Sequence, residues 1–162
     1  MNLDKKIAES IFLAAKRSAV FSRLAVLGAT KLIWLSGAAV FLWGILSGQI
    51  IPIILGVFFA WIMQLAVAYL FNRRRPFQQN HEKPLMELMW RTPSFPSGHT
   101  TLSCAMAAGV FVQDPVLGTV FFAAAALIAF CRIAVGVHYF SDIIGGAVLG
   151  IGVATLVARL IV

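Results

Sequence analysis

Acidic side chains are scarce in this chain: 6 Asp and Glu in 162 residues, against 13 Lys and Arg, for a net charge of +7. Charged residues of both signs make up only 12% of the total, too few to clothe a soluble surface. Cysteine is nearly absent. Cys104 and Cys131 stand singly in or beside apolar runs, which excludes a disulfide framework and reads as two small buried hydrophobes. No Cys/His group has zinc spacing, so neither a metal nor any other cofactor is expected. A cleavable signal pattern is missing too, because Lys16 and Arg17 interrupt the first apolar run. Apolar surface is what the chain has in excess. Hydrophobic residues reach 60% and the mean hydropathy is +0.92, more than one soluble core of this length needs. The expected class is an all-α integral membrane bundle forming one domain over residues 1–162. In that setting the positive charge suits anionic lipid head groups and a phosphate-bearing lipid; nucleic acid is not expected as a partner.

Residues 1–22 read as an amphipathic helix lying on the membrane surface. Ile7, Ile11, Ala14, Ala15 and Ser18 follow helical spacing, and Lys5, Lys6, Glu9, Lys16 and Arg17 supply charge. About five spans follow: Leu24–Leu46 (its one charge, Lys31, near enough to the end to snorkel), Ile50–Asn72, Ser97–Val112, Pro115 or Val116 to Arg132, and Ser141 to about Val162. The loop 73–96 between the second and third spans is charged and contains proline. Its Leu85, Met86, Leu88, Met89 and Trp90 predict a short interfacial helix over the site, while His81 reads as exposed. Gly146, Gly150, Ala154 and Ala158 recur every fourth residue in the last span. They form a close-packing face, by default for a helix of the same chain and otherwise for a homodimer.

Polar sequence breaks the apolar runs at three places. The first is Arg73-Arg74-Arg75-Pro76-Phe77. The second is Ser94-Phe95-Pro96-Ser97-Gly98-His99-Thr100, where Pro96 and Ser97 suit a helix start, Gly98 lets a ligand approach the backbone, and His99 falls in the first turn. The third runs from Cys131-Arg132 through His138-Tyr139 to Asp142. Successive spans run in opposite directions, so Arg75, Ser97, Arg132 and Asp142 all fall at one face of the bilayer, where charges are costly and usually functional. Arg75 and Arg132 offer planar forks of donors that suit phosphate. Ser97 and the backbone N–H groups near Gly98 add donors at a helix start. Of the two histidines, one can attack phosphorus and one can protonate the leaving oxygen. Asp142, four residues after His138, can orient a ring nitrogen. The residues alone do not say which histidine attacks.

These motifs resemble those of the type 2 phosphatidic acid phosphatase superfamily, which read Lys-x6-Arg-Pro, Pro-Ser-Gly-His and Ser-Arg-x5-His-x3-Asp. The second is complete here. The third is complete from Arg132 through His138 to Asp142, with Cys131 in place of Ser. The first matches only at Arg75-Pro76, because Ala68 stands at the Lys position. The resemblance implies a bacterial membrane lipid phosphatase in which His138 is the nucleophile, His99 the general acid, and a phosphohistidine forms without a metal. It also implies undecaprenyl diphosphate as substrate. Phosphatidic acid, phosphatidylglycerol phosphate, an inactive lipid-phosphate binder and a vanadate-dependent oxidase are the alternatives. Arg73 or Arg74 either takes the part of the missing Lys or anchors the helix end. The basic N-terminal cluster predicts a site facing the cytoplasm.

Overall fold

The computed structural model describes residues 3–80, 82–87 and 92–161. The described residues form eight helices and no strand: α1 (Leu3–Arg17), α2 (Ala19–Thr30), α3 (Leu32–Leu46), α4 (Ile50–Phe71), α5 (Pro76–Asn80), α6 (Gly98–Gln113), α7 (Pro115–Ala134) and α8 (Phe140–Ile161). Among the described residues, four stretches are long and apolar enough to cross a bilayer: α2 with α3, the stretch containing α4, α7, and α8. Their outward faces carry Trp34, Leu46, Leu70, Val116 and Leu160 at 72–80% exposure. Such a surface would aggregate in water and is the solvated one in lipid.

The third expected span, Ser97–Val112, is the exception. α6 has 16 residues, about 24 Å at the helical rise, against a hydrocarbon thickness of about 30 Å. It is short because it is central: α4, α7 and α8 all pack on it, and Thr100, Thr101, Ser103, Cys104 and Ala105 are buried along it. Helices rather than lipid surround it, so small polar residues are tolerated where a lipid-facing span would need Leu or Ile.

Small residues set the helix spacing. Ala60, Ala105, Ala108 and Ala154 form one core cluster between α4, α6 and α8. Gly146 and Gly150 face α6 of the same chain: a Cβ at Gly150 would lie 2.2 Å from the Thr101 carbonyl oxygen, and one at Gly146 2.8 Å from that of Ser97. The face is therefore packed against a helix of the same chain, the default expected for it.

The N-terminal helix is shorter than expected. Ser18 leaves the helix at φ −121° and ψ 117°, and its side chain accepts from the Phe21 N–H, which starts α2 at Ala19. The packed stripe of α1 is Ala8, Phe12 and Ala15, with Ile11 half-buried beside it; Ile7 and Ala14 lie off it. With the first span beginning at Ala19, exposed Lys31 sits at the α2–α3 junction, about 18 Å in, deeper than a span starting at Leu24 implied. α1 lies across one end of the bundle. Asp4 bonds Ser141, the Phe12 ring covers Gly136 so closely that a Cβ there would sit 2.7 Å away, and Lys16 pairs with Glu82 at 2.6 Å.

Within the described part of the loop 73–96 the helix is α5, opened by Pro76, and Leu85 and Met86 lie in irregular chain. Those two side chains instead pack against the cluster of Ala15, Ala25, Ala29, Val135 and Val137. His81, Leu88, Met89, Trp90 and Arg91 lie outside the described residues.

Candidate active site

The three polar motifs meet at the end of the bundle that α1 crosses. α4 stops at Phe71 because Asn72 takes the left-handed conformation (φ 41°) and its N–H bonds the Ala68 carbonyl. That turns the chain so that Arg73 and Arg75 face the start of α8. The Ser97 N–H donates to the Asp142 carbonyl at 3.0 Å and the Ser94 N–H to the Arg73 carbonyl at 2.8 Å. The second motif is thus tied by backbone to both of the others.

Asp142 is the hub. It is 0% exposed, and its carboxylate accepts from the Tyr139 N–H at 2.8 Å, from Arg73 Nη1 at 2.8 Å and from the Ser94 hydroxyl. His138 is 2% exposed. Its Nδ1 lies 2.9 Å from the Ser94 carbonyl oxygen and 3.5 Å from Asp142 Oδ2. The ring is therefore oriented first by a backbone carbonyl, with Asp142 behind it at longer range, a correction to the simple His–Asp pair expected from the spacing. With a proton on Nδ1, the Nε2 lone pair points the other way, where Arg75 Nη1 lies at 3.3 Å. Burial pushes the His138 pKa down to about 4, against the pull of Asp142, so the ring is neutral at ordinary pH.

The two phosphate-binding candidates differ. Arg75 is largely engaged by protein: Nε donates to the Thr92 carbonyl at 2.9 Å, Nη2 to the Thr92 hydroxyl at 3.0 Å, and Nη1 to the Val137 carbonyl at 3.2 Å. It clamps the loop onto the His138 segment. Arg132 is 3% exposed and uses Nη1 on the Ala29 carbonyl and the Met86 sulfur. Its Nε is buried without a partner among the described residues. An unmet charged donor at that depth is costly unless a ligand meets it.

The start of α6 leaves further donors. Ser97 is the N-cap, but its side chain makes no capping bond; it accepts instead from the Thr100 hydroxyl at 3.0 Å. The first helical bond runs from Thr101 N to Ser97 O, so the N–H groups of Gly98, His99 and Thr100 precede it and are open to an anion. Gly98 serves this less directly than expected, since a Cβ there would meet the Gln64 amide at an ordinary 3.5 Å. His99 is half-buried in this first turn, within electrostatic reach of Arg132, His138 and Arg75.

Other side chains take parts that the sequence did not assign. Gln64, buried in α4, donates to the Pro96 carbonyl at 3.1 Å; a lone amide in an apolar span was the available signal. Arg73 neither replaces the missing Lys in a cradle nor merely anchors a helix end. It bonds Asp142 and Asp4 and stacks 4.2 Å over the Tyr139 ring. Tyr139 is buried. Arg74 is exposed. Ala68 is fully buried. Cys131, at the Ser position, packs in the apolar cluster against α2, where a Cβ on Gly28 would meet its sulfur at 2.5 Å.

The chain and its fold are similar to known proteins. A family model described as the PAP2 superfamily matches residues 38–162. The crystal structure of Aquifex aeolicus LpxE superposes with a TM-score of 0.79 at 25% identity, covering 98% of this chain and 96% of that one. That of a transmembrane PAP2 type phosphatidylglycerolphosphate phosphatase from Bacillus subtilis gives 0.67 at 23% identity, over 97% and 83%. None of the curated proteins matches the chain by sequence.

Proposed function

The chain belongs to the PAP2 superfamily and is a lipid phosphatase, and on that premise we propose that it hydrolyses the phosphate of a membrane lipid through a covalent phosphohistidine on His138. The observation that carries this reading is the anchoring of His138: Nδ1 on the Ser94 carbonyl, Asp142 behind, and Nε2 turned toward Arg75. Nε2 attacks phosphorus as the bond to the leaving oxygen breaks (an ester bond, or the anhydride bond of a diphosphate), and His99, protonated once the anionic phosphate offsets the cations around it, gives that proton to the departing oxygen. Nδ1 keeps its proton, so the phosphorylated ring is cationic and Asp142 stabilises it. A water then attacks phosphorus, loses a proton to His99, and the P–N bond breaks to release inorganic phosphate. Arg132, Arg75 and the open N–H groups of α6 hold the equatorial oxygens, supplying the charge that a metal supplies in other phosphatases.

Two cavities support a lipid as substrate. An apolar groove of about 430 Å³ is lined by Val40, Ile53, Val57, Trp61, Leu102 and Met106. On α6 it continues the line of His99, at the spacing His99, Leu102, Met106. On α4 it continues that of Gln64, at Val57, Trp61, Gln64. The lipid chain lies in this groove. The head group lies in a mixed cavity of about 730 Å³ whose lining includes Arg75, Gln78, Lys83, Glu87 and Thr92 beside Leu85 and Met86. Arg75 and Lys83 outweigh the one carboxylate there, Glu87, so a second phosphate has a place, and undecaprenyl diphosphate is the first candidate. Phosphatidylglycerol phosphate, named for the Bacillus subtilis relative, is the second. The site faces the cytoplasm in this reading, because α1 brings Lys5, Lys6, Lys16 and Arg17 to the same end.

Phosphate release by the purified protein in detergent and excess chelator tests this, with undecaprenyl diphosphate, phosphatidylglycerol phosphate, phosphatidic acid and a short-chain lipid phosphate as substrates. Turnover that prefers the diphosphate is expected. Filling the groove by Met106→Trp should lower kcat/KM about tenfold, equivalent to about 1.4 kcal/mol, for long-chain lipids and spare the short-chain one. No release from any of the four would leave only a lipid-phosphate binder.

A further inference from the structure

We propose that Asp4 and Arg73 are positioning residues for the phosphatase reaction, forming with Asp142 a charge relay that makes helix α1 part of the catalytic apparatus. The inference rests on the reading of His138 as nucleophile. Arg73 lies between the two carboxylates: Nη2 is 2.8 Å from Asp4 Oδ2 and Nη1 is 2.8 Å from Asp142 Oδ1. Its guanidinium is fixed in plane by the Tyr139 ring at 4.2 Å and donates to the Ser141 hydroxyl at 2.6 Å. Asp4 is fixed from the other side, accepting from the Ser141 N–H at 2.9 Å and the Ser141 hydroxyl at 2.6 Å.

The charges explain why three members are needed. Asp142 is wholly buried, and His138 is neutral before the reaction, so Arg73 is the cation that pairs with the carboxylate at rest. Arg73 alone would cancel that carboxylate and leave little field for the cationic phosphorylated ring. Asp4 restores one net negative charge to the trio. Asp142 is thereby held in place and ionised, and still answers the positive charge that develops on His138. Asp4 belongs to a helix that also packs on the site end, with Phe12 on Gly136, Ala8 in the cluster of Tyr139 and Ile143, Ala15 in that of Val135 and Val137, and Lys16 on Glu82. Seating α1 therefore sets the catalytic carboxylate.

The test compares Asp4→Asn, Asp4→Glu, Arg73→Gln and Arg73→Lys with the wild type for kcat, KM and thermal stability in one detergent. Losses on the order of 10–100-fold are typical when the partner that orients a catalytic or ligating group is removed. The relay predicts that Asp4→Asn and Arg73→Gln lose that much in kcat with KM within about twofold. Asp4→Glu and Arg73→Lys should recover part of it. The double variant Asp4→Asn/Arg73→Gln should be no slower than Arg73→Gln alone, because Asp4 acts through Arg73. Should Arg73→Gln fail to fold, the Asn and Glu variants at Asp4 decide the matter. A lower melting temperature with unchanged kcat, or a loss confined to KM, would overturn the relay. If His138→Ala also retained turnover, the reading of the reaction would fail; if His138→Ala were dead and Asp4→Asn fully active, the relay alone would fail.

Discussion

Gly150 is where the distance between α6 and α8 is set, and substituting it measures what that distance is worth. A Cβ there would stand 2.2 Å from the Thr101 carbonyl oxygen and 3.1 Å from the Ala105 nitrogen. Both are helix backbone, so no side chain can swing away. Restoring ordinary contact moves α8 from α6 by about 1 Å, a change that overpacked cores resist by about 1–3 kcal/mol. Gly150→Ala belongs at the top of that range. Gly146→Ala, whose Cβ would be 2.8 Å from the Ser97 carbonyl, belongs near the middle. Gly152 has nothing within 4 Å, so Gly152→Ala should gain up to about 1 kcal/mol of helix propensity. Thermal denaturation in detergent reads the series, at about 2–4 °C per kcal/mol for a domain of this size. Activity should follow the same order, because α8 carries Asp142 and α6 carries His99. Three variants of equal stability would refute the packing argument, as would a Gly150→Ala protein with wild-type turnover.

Gln64→Met keeps the side-chain length but removes the donor to the Pro96 carbonyl; it should cost about 1–3 kcal/mol in a melting experiment and lower kcat, and an unchanged melt would count against the bond. The pH profile of kcat/KM should keep its acid limb well below 6.5, near 4, because burial, helped by Arg75 and Arg132, opposes protonation of His138 more than Asp142 favours it; a limb at 6.5 would contradict that placement. The same shift makes the unfolded chain bind a proton that the folded one refuses, so this histidine's contribution to stability is lost as pH falls from about 6.5 towards 4.

The spans were legible because lipid imposes a single demand, apolar residues over a fixed length, and α4, α7 and α8 face lipid enough to obey it. α6 was legible in position but not in kind, since a helix enclosed by α4, α7 and α8 need not be apolar all round. Spacing alone placed His99, Arg132, His138 and Asp142 at one end. The supporting bonds were hidden. Asp4 and Arg73 are separated by 69 residues, and no local pattern joins a surface helix to a span end. Ser94 stood in the recognised stretch, yet the atom that orients His138 is its backbone carbonyl, and every residue has one. The face formed by Gly146 and Gly150 could be read as close-packing, while its partner, the backbone of α6, is a property of the fold.

The measurement that tests the central claim most directly is capture of the covalent intermediate. The protein is mixed with a lipid substrate labelled on its reacting phosphate, quenched in alkali within one turnover, and mapped by peptide. The account predicts alkali-stable, acid-labile label on the peptide containing His138, absent from His138→Ala and increased in His99→Ala with a good leaving group, where the group that activates water is missing. Label on His99, or full turnover by His138→Ala, would contradict it.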